Sequence, residues 1–175
     1  MASGKCLILI GPMGSGKTTV GSMLAKELGW VFLDTDRLIV EESGMPIPEI
    51  FTRHGEEYFR RLEEAVIAKA VSREKAVIAT GGGAVTVPAN LQCMKDHGVV
   101  IYLKTSLQEL AKRVGMGEGR PLLEGRDPLQ ALQTLLEERE SQYAQGDLVI
   151  CTDGLKPVEV AERILAEYQN FCGNS

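Results

Sequence analysis

Apolar residues along this chain form short continuous runs, which alternate with longer stretches of helical periodicity. Continuous apolar runs are typical of strands that are buried on both faces of a parallel sheet. The predicted strands lie at residues 6–10, 30–33, 76–79, 99–103 and 148–151. Apolar spacing predicts helices at about 19–28, 55–72, 88–96, 106–114, 128–145 and 157–171, and a mostly helical stretch before residue 55 that Gly44, Pro46 and Pro48 interrupt. The alternation predicts an α/β fold with helices on both faces of a parallel sheet, and ligands bind beyond the carboxyl ends of such strands.

The amino-acid composition restricts the class of protein but does not indicate which reaction it catalyses. The 175 residues are 44% hydrophobic and 25% charged, which fits one globular domain with a substantial core. The net charge of -5 argues against a nucleic-acid partner, so a basic site for an anionic ligand has to be local. No apolar run approaches the roughly 20 residues of a membrane helix, and the first strand begins by about Cys6. We therefore expect no signal peptide, no membrane partner and a cytoplasmic location.

Four cysteines are spaced too widely for a C-x-x-C pair: Cys6, Cys93, Cys151 and Cys172. Since two of them fall in apolar strand-like runs, we expect reduced and mostly buried thiols. Cys93 and His97 would share one helix face, but a metal site needs more ligands than two.

A phosphate-binding motif follows the first predicted strand. Residues 11–18, G-P-M-G-S-G-K-T, fit G-x-x-x-x-G-K-[ST] and lead directly into a predicted helix. Glycines at 11, 14 and 16 allow a tight turn whose N–H groups approach phosphate oxygens, and the helix dipole adds to the attraction. Lys17 supplies a positive charge for the β- and γ-phosphates, and the hydroxyl of Thr18 suits Mg²⁺. The alternative is an ordinary glycine-rich turn between a strand and a helix.

Two carboxylates, Asp34 and Asp36, follow the second predicted strand. In extended backbone they would point to the same side, but the alternative that the chain already turns at this point stays open. Beside a nucleotide, one can support Mg²⁺ and the other can hydrogen-bond an acceptor hydroxyl and take its proton. The alternative is that they cap the next helix. Residues 81–83, G-G-G, follow the third strand and favour close approach of a ligand to the backbone, although a flexible turn remains open. All these groups should meet at one edge of the sheet.

Several arginines could balance the charge of an anionic ligand, because the guanidinium group can bond two oxygens at once. Arg60 and Arg61 lie on a predicted helix, Arg139 lies near the end of another, and Arg120 lies in a glycine-rich stretch, 115–127, that favours a mobile surface loop. Spacing alone does not select among them, since helical arginines commonly pair with glutamates of their own helix.

Taken together, these motifs resemble shikimate kinase. The phosphate loop alone is shared by many unrelated NTPases. The combination of D-T-D at 34–36, F-R-R-L-E at 59–63, G-G-G at 81–83, R-P-L-L at 120–123, and Arg139 with Tyr143 is far more specific and spans nearly the whole chain. The resemblance implies a single domain over 1–175, a three-layer α/β/α P-loop kinase fold with a five-stranded parallel sheet, and a mobile lid at about 114–126.

The resemblance also implies the reaction and the residues that perform it. The γ-phosphate of ATP would move to the 3-hydroxyl of shikimate, with Mg²⁺ as the cofactor, in aromatic amino-acid biosynthesis. The implied catalytic residues are Lys17, Asp36 and Arg120, with Asp36 either orienting or deprotonating the hydroxyl. The implied nucleotide-binding residues are Gly14, Ser15, Gly16, Lys17, Thr18, Thr19, Arg113, Arg120 and Pro157, the last of which would flank the adenine together with Arg113. Shikimate would be bound by Asp36, Arg60, Gly82, Gly83 and Arg139, and Mg²⁺ would be supported by Thr18 and Asp34.

Two alternatives to this interpretation stay open at the level of sequence. Gluconate kinase shares the phosphate loop and the general fold, but its usual histidine-containing segment after the second strand is not found here. A non-catalytic nucleotide-binding module would keep the phosphate loop without needing Asp36, Arg60 and Arg139. We expect a monomer whose partner is the small-molecule substrate.

Overall fold

Five parallel strands form one sheet in the part of the chain that the structure, a computed structural model, describes: residues 6–114 and 127–173. The strands are β1 (Cys6–Ile10), β2 (Val31–Asp34), β3 (Ala76–Ala79), β4 (Val99–Lys104) and β5 (Leu148–Cys151). The helices are α1 (Lys17–Leu28), α2 (Thr35–Ser43), α3 (Ile47–Val71), α4 (Pro88–His97), α5 (Leu107–Val114), α6 (Pro128–Tyr143) and α7 (Pro157–Gly173). The strand order is β2-β3-β1-β4-β5. The predicted fold class, an α/β protein with a five-stranded parallel sheet, is confirmed.

Each face of the sheet carries its own hydrophobic core, because successive strand residues point to opposite faces. Ile8 of β1 packs in one core with residues of α3, α4 and α6. Leu7 and Leu9 of the same strand pack in the other core with residues of α1 and α7. The sheet is therefore the middle of three layers, which explains why its central strands are apolar at every position.

The strand order opens a crevice between the carboxyl ends of β1 and β3. These two strands are neighbours in register, with Leu9 beside Ala79. The chain leaves β1 towards β2 on one side of the sheet and leaves β3 towards β4 on the other side. Connections that depart in opposite directions separate the segments that follow the two strands, and ligands of open α/β sheets bind at such a point. The phosphate loop and the glycines 81–83 therefore flank one crevice.

The segment after β2 differs from the sequence-based prediction. Asp34 ends β2 and α2 begins at Thr35, so Asp34 and Asp36 are not two positions of one extended strand. α3 consists of two helical segments that meet at Gly55, so the helix predicted from about residue 55 corresponds to the second segment, and the first segment, from Ile47, lies in the stretch predicted to be mostly helical. Gly55 has φ 81° and marks a kink, which a residue without a Cβ adopts without steric cost. A small separate core holds α2 against α3 around Ile39, Ile50 and Phe59.

The cysteines also differ from expectation. All four are reduced, but only Cys6 is buried, whereas Cys151 and Cys172 are exposed and Cys93 is intermediate. Cys151 is exposed because β5 is an edge strand of the sheet. His97 Nδ1 lies 2.7 Å from the carbonyl oxygen of Cys93, which gives this ring a backbone partner within its own helix. Of the helices in the described ranges, none has the length and apolar character to span a bilayer.

Candidate active site

The phosphate loop joins β1 directly to α1. Gly16 forms the N-cap of α1 with φ 94°, a conformation that favours glycine, and no side chain caps the helix. Ser15 N–H donates to the carbonyl of Pro12 at 3.2 Å, which closes the turn. The first N–H groups of α1 have no partner within the helix and carry the positive end of its dipole, so this end of α1 can bind an anion.

Lys17 brings a positive charge into this loop. Its residue is only 8% exposed. The ammonium donates to the carbonyl oxygens of Gly11 and Pro12 at 2.7 and 2.8 Å, and to the hydroxyl of Ser15 at 3.4 Å. Lys17 therefore folds over the loop rather than extending into solvent, and its charge lies beside the same N–H groups that would face a phosphate.

Thr18 and Asp34 meet at the mouth of the loop. The Thr18 hydroxyl donates to Asp34 Oδ2 at 2.7 Å, while Asp34 Oδ1 accepts the N–H of Arg37 at 3.2 Å. Asp34 is thus the N-cap of α2, as the structural alternative proposed, and it also faces the phosphate loop. A hydroxyl and a carboxylate are oxygen ligands that Mg²⁺ prefers, and Mg²⁺ usually completes its shell with water and substrate phosphates. The donor set fits Mg²⁺.

On the other wall of the crevice, Asp36 and Glu63 converge on Gly81. A Cβ built on Gly81 would lie 2.7 Å from Asp36 Oδ1 and 2.9 Å from Glu63 Oε2, so the two carboxylates lie close to each other. The N–H of Gly81 is already taken by the Thr35 hydroxyl at 3.1 Å. Only glycine fits here, and its approach brings α2, α3 and the segment after β3 together.

Arg60 lies against the next glycines. A Cβ on Gly83 would lie 2.6 Å from Arg60 Nη1 and 2.8 Å from its Cζ. The guanidinium donates to Glu63 Oε1 at 2.7 Å and to Glu56 Oε1 at 3.2 Å, and it lies 5.3 Å from the centre of the Phe59 ring. These contacts fix one orientation of a side chain that is 14% exposed. Arg61, by contrast, pairs with exposed Glu57 on the solvent face.

Arg139, on α6, lines the same side of the crevice as Arg60. The residue is 7% exposed, and Nη1 would lie 3.8 Å from a Cβ on Gly82. The Gly82 carbonyl accepts the hydroxyl of Tyr143 at 2.5 Å. Among the described residues, no backbone hydrogen bond uses the N–H of Gly82 or Gly83. Two buried or nearly buried guanidiniums and two N–H groups therefore face one volume, which suits a carboxylate.

Glu63 is a residue whose burial the sequence did not reveal. It appeared only within the F-R-R-L-E motif and as an ion-pair partner for Arg60. The structure shows a carboxylate at 0% exposure, and its Oε2 has no hydrogen-bond partner in the described ranges. Burial raises the pKa of Glu63 and Asp36 raises it further, whereas Arg60 and Arg139 lower it.

The crevice has a volume of about 460 Å³, large enough for small-molecule ligands. Of the predicted site residues, it brings together Gly14, Gly16, Lys17, Thr18, Thr19, Asp34, Asp36, Arg60, Gly82, Gly83 and Arg139. Ser15 is buried inside the loop beneath it. The lining also includes Glu63, Thr80 and Gly81, and the apolar side chains of Met13, Ile47, Phe51 and Phe59.

Besides Ser15, two predicted residues of the described ranges, Arg113 and Pro157, do not line this crevice. The Arg113 guanidinium lies beside it, with Nη1 at 3.4 Å from the carbonyl of Gly14. Pro157 is exposed at the start of α7, beyond the carboxyl end of β5. Arg120 and all of the predicted lid except Val114 lie outside the described residues.

Comparisons with known proteins agree with this geometry. The family model of shikimate kinase matches residues 13–169. The shikimate kinase of Moorella thermoacetica is 46% identical over 158 residues, which cover 90% of this chain and 91% of that protein. The shikimate kinase of Synechococcus sp. strain RCC307 is 48% identical over 165 residues, with coverage of 94% and 84%.

Solved structures extend the agreement to three dimensions. The shikimate kinase from Acinetobacter baumannii in complex with shikimate has a TM-score of 0.93 and 38% identity, and the match covers 99% of this chain and 96% of that one. A gluconokinase from Sinorhizobium meliloti covers 99% of this chain and 97% of its own, but with a TM-score of 0.67 and 20% identity it shares the fold alone. The chain therefore belongs to the shikimate kinase family.

Proposed function

We propose that residues of this one crevice transfer the γ-phosphate of ATP to the 3-hydroxyl of shikimate, giving shikimate 3-phosphate and ADP. Membership of the shikimate kinase family makes the chain an ATP-dependent kinase of shikimate in aromatic amino-acid biosynthesis. The observation that carries the residue assignments is that Lys17, Asp36, Arg60 and Arg139 line the same 460 Å³ crevice. Phosphoryl transfer needs mainly positioning and charge stabilisation, and these residues supply both.

The nucleotide occupies the phosphate-loop side of the crevice. Backbone N–H groups from Gly14 to Thr19 bind the phosphate oxygens, and Lys17 exchanges its carbonyl partners for the β- and γ-phosphates. Thr18 and Asp34 would hold Mg²⁺. The metal neutralises phosphate charge when it is bound. Arg113, next to Gly14, flanks the adenine together with Pro157.

Shikimate occupies the opposite side of the crevice. Arg60 and Arg139 bind its carboxylate, and the N–H groups of Gly82 and Gly83 add backbone contacts. This arrangement leaves the hydroxyl-bearing part of the ring between Asp36 and the phosphate loop. The guanidinium of Arg60 needs no reorganisation to bind, because Glu63 and Glu56 already hold it in place.

Asp36 accepts a hydrogen bond from the 3-hydroxyl. The hydroxyl oxygen forms a bond to the γ-phosphorus as the bond from phosphorus to the β,γ-bridging oxygen breaks, and ADP leaves with that electron pair. Asp36 orients the hydroxyl and is the nearest base for its proton. Arg120 is assigned to the charge of the transferring phosphoryl group, on the strength of the R-P-L-L motif. Exclusion of water from the crevice matters for this reaction, because water would otherwise compete as the acceptor.

We further propose that the chain acts as a single-domain monomer in the cytoplasm, with no nucleic-acid or membrane partner. The net charge of -5 supports the absence of a nucleic-acid partner. The wide spacing of the four cysteines, none of which forms a C-x-x-C pair, supports a reducing compartment.

Acceptor-dependent ATP turnover tests the proposal. Purified protein with Mg²⁺ and ATP is assayed for ADP release with shikimate, with gluconate and without acceptor, and the product is checked for phosphate at the 3-position. We expect strong turnover with shikimate and little with gluconate. Gluconate-dependent turnover without shikimate-dependent turnover would overturn the proposal, and tight ATP binding without transfer would favour a non-catalytic module.

A further inference from the structure

Tyr143 lies between the two parts of the shikimate site, at the last residue of α6. It is 1% exposed, and its hydroxyl donates to the carbonyl of Gly82 at 2.5 Å. Arg139 lies one helical turn earlier on α6, where residues four positions apart are neighbours. Burial raises the pKa of Tyr143, while the charge of Arg139 and a hydrogen bond from its side chain oppose that rise. The hydroxyl thus contacts the segment that carries Gly82 and Gly83, and it lies close enough to Arg139 for the charge of Arg139 to affect its pKa.

We propose that Tyr143 is a positioning residue whose hydroxyl holds Arg139 and the 81–83 segment in the one arrangement that binds the carboxylate of shikimate. This inference rests on the proposed function, because it concerns the same site. Arg139 lies on α6, whereas the glycines follow β3. Arg139 is 56 residues from Gly83 in the sequence. Across that separation, the Tyr143 hydroxyl provides a direct hydrogen bond from α6 to the glycine segment.

The hydrogen bond constrains the direction of the peptide units that face the ligand. The Gly82 carbonyl and the Gly83 N–H belong to the same planar peptide group, so a bond that fixes the carbonyl also fixes the N–H. Glycine has no side chain that could restrict its backbone dihedral angles, and fixing them from outside therefore matters more than it would at other residues. Loss of the hydroxyl removes the hydrogen bond to the Gly82 carbonyl and leaves this peptide group able to rotate beside Arg139.

Tyr102 provides a matched control within the same core. Its ring stacks on Tyr143 with ring centroids 5.1 Å apart, and it is also 1% exposed. Its hydroxyl, however, donates to Glu140 Oε2 at 2.6 Å, on the side of Lys104 rather than of the glycines. Tyr102→Phe therefore removes one hydroxyl from the same stacked pair without touching the crevice.

The test compares Tyr143→Phe, Tyr102→Phe and the wild type in the full-length protein. Steady-state kinetics give KM for shikimate, KM for ATP and kcat, and thermal unfolding without ligands reports the stability of each variant. One hydrogen bond of this kind changes an equilibrium by about five- to tenfold. We expect Tyr143→Phe to raise KM for shikimate by about that factor, with KM for ATP and kcat within about twofold of wild type. Tyr102→Phe should leave all three kinetic constants unchanged.

The control separates positioning from general packing. If both variants lose similar stability and only Tyr143→Phe weakens shikimate binding, the hydroxyl positions the site. An unchanged KM for shikimate in Tyr143→Phe would overturn the inference, and so would an equal rise in Tyr102→Phe. If the wild type itself fails to use shikimate, the proposed function fails first. If Tyr143→Phe is too unstable for the kinetic assay, isothermal calorimetry at low temperature measures its affinity for shikimate directly. The same two outcomes, weaker or unchanged shikimate binding, then decide the inference.

Discussion

A methyl group at residue 83 tests whether Arg60 binds the carboxylate of shikimate, and it removes no charged group from the site. Gly83 has φ -94° and ψ 0°, which alanine also adopts, so Gly83→Ala introduces no backbone strain. Its Cβ would lie 2.6 Å from Arg60 Nη1 and 2.8 Å from Arg60 Cζ, closer than non-bonded atoms allow. The guanidinium has to move, but Glu63 and Glu56 hold it on its other side. Gly83→Ala should therefore displace the very group proposed to bind the carboxylate of shikimate.

The expected size of the effect follows from the bond that is lost. A hydrogen bond to a charged group contributes about 1.5–3 kcal/mol, and each 1.4 kcal/mol changes an equilibrium constant about tenfold. We therefore expect the KM for shikimate to rise by about 10- to 100-fold, with the KM for ATP nearly unchanged. Because the clash involves the end of a flexible side chain rather than backbone, the fold should be retained.

Steady-state kinetics with each substrate varied in turn, together with thermal unfolding, measure this prediction. Gly173→Ala is the matched control, because a Cβ at Gly173 would meet nothing within 4 Å. Arg60→Ala is the comparison that removes the guanidinium outright. If Arg60→Ala weakens shikimate binding at least tenfold while Gly83→Ala leaves it unchanged, the guanidinium can move aside and still bind, and the reasoning from this contact is refuted.

Three further predictions concern the carboxylates. Asp36→Asn should lower kcat by about 10²- to 10⁴-fold and leave ATP binding nearly intact, and unchanged turnover would remove Asp36 from the chemistry. Asp34→Asn should raise the Mg²⁺ concentration needed for half-maximal turnover, in a titration at fixed ATP; an unchanged titration would contradict its assignment to the metal. Burial raises the pKa of Glu63 above its ordinary 4.5, despite Arg60 and Arg139, so the unfolded chain ionises first as the pH rises. Wild type should then lose stability relative to Glu63→Gln as the pH rises above about 4.5 in denaturant unfolding, and a difference that is constant with pH would contradict a raised pKa of Glu63 in the folded protein.

The parts of the site that the sequence predicted well are those made by neighbouring residues. The phosphate loop needs only a strand, a turn and a helix in direct succession, so residues 11–18 determine its geometry locally. The strands were predicted because buried parallel strands are apolar at every position, as β1 and β3 are. The stretch before residue 55 was predicted to be mostly helical but interrupted by Pro46 and Pro48. Pro46 is instead the N-cap of α3 and Pro48 lies in its first turn, where proline is tolerated, while Gly55 is the non-helical residue at which the two segments of α3 meet.

The contacts between distant segments required the fold. Only the strand order places β3 beside β1, and only that placement brings the glycines 81–83 to the phosphate loop. Spacing could not distinguish Arg60 from Arg61, since both can pair with glutamates one turn away, and the choice came from the resemblance. The structure separates them by burial: the side chain of Arg60 is 14% exposed against Gly83, whereas that of Arg61 is 75% exposed.

Glu63 and Tyr143 show why the burial of polar side chains identifies this site more clearly than the spacing of apolar residues in the sequence does. A glutamate in a charged helical stretch is typical of a solvent-facing position, yet Glu63 is fully buried and its Oε2 lacks a hydrogen-bond partner among the described residues. A buried oxygen in that state costs about 1–3 kcal/mol or more, so packing alone does not account for it. Glu63 accepts a hydrogen bond from Arg60, and Tyr143 donates one to the Gly82 carbonyl, so each holds a group that is proposed to bind the ligand. These buried polar groups therefore lower the stability of the protein but hold a guanidinium and a peptide group in place before the substrate binds. Such preorganisation increases binding affinity.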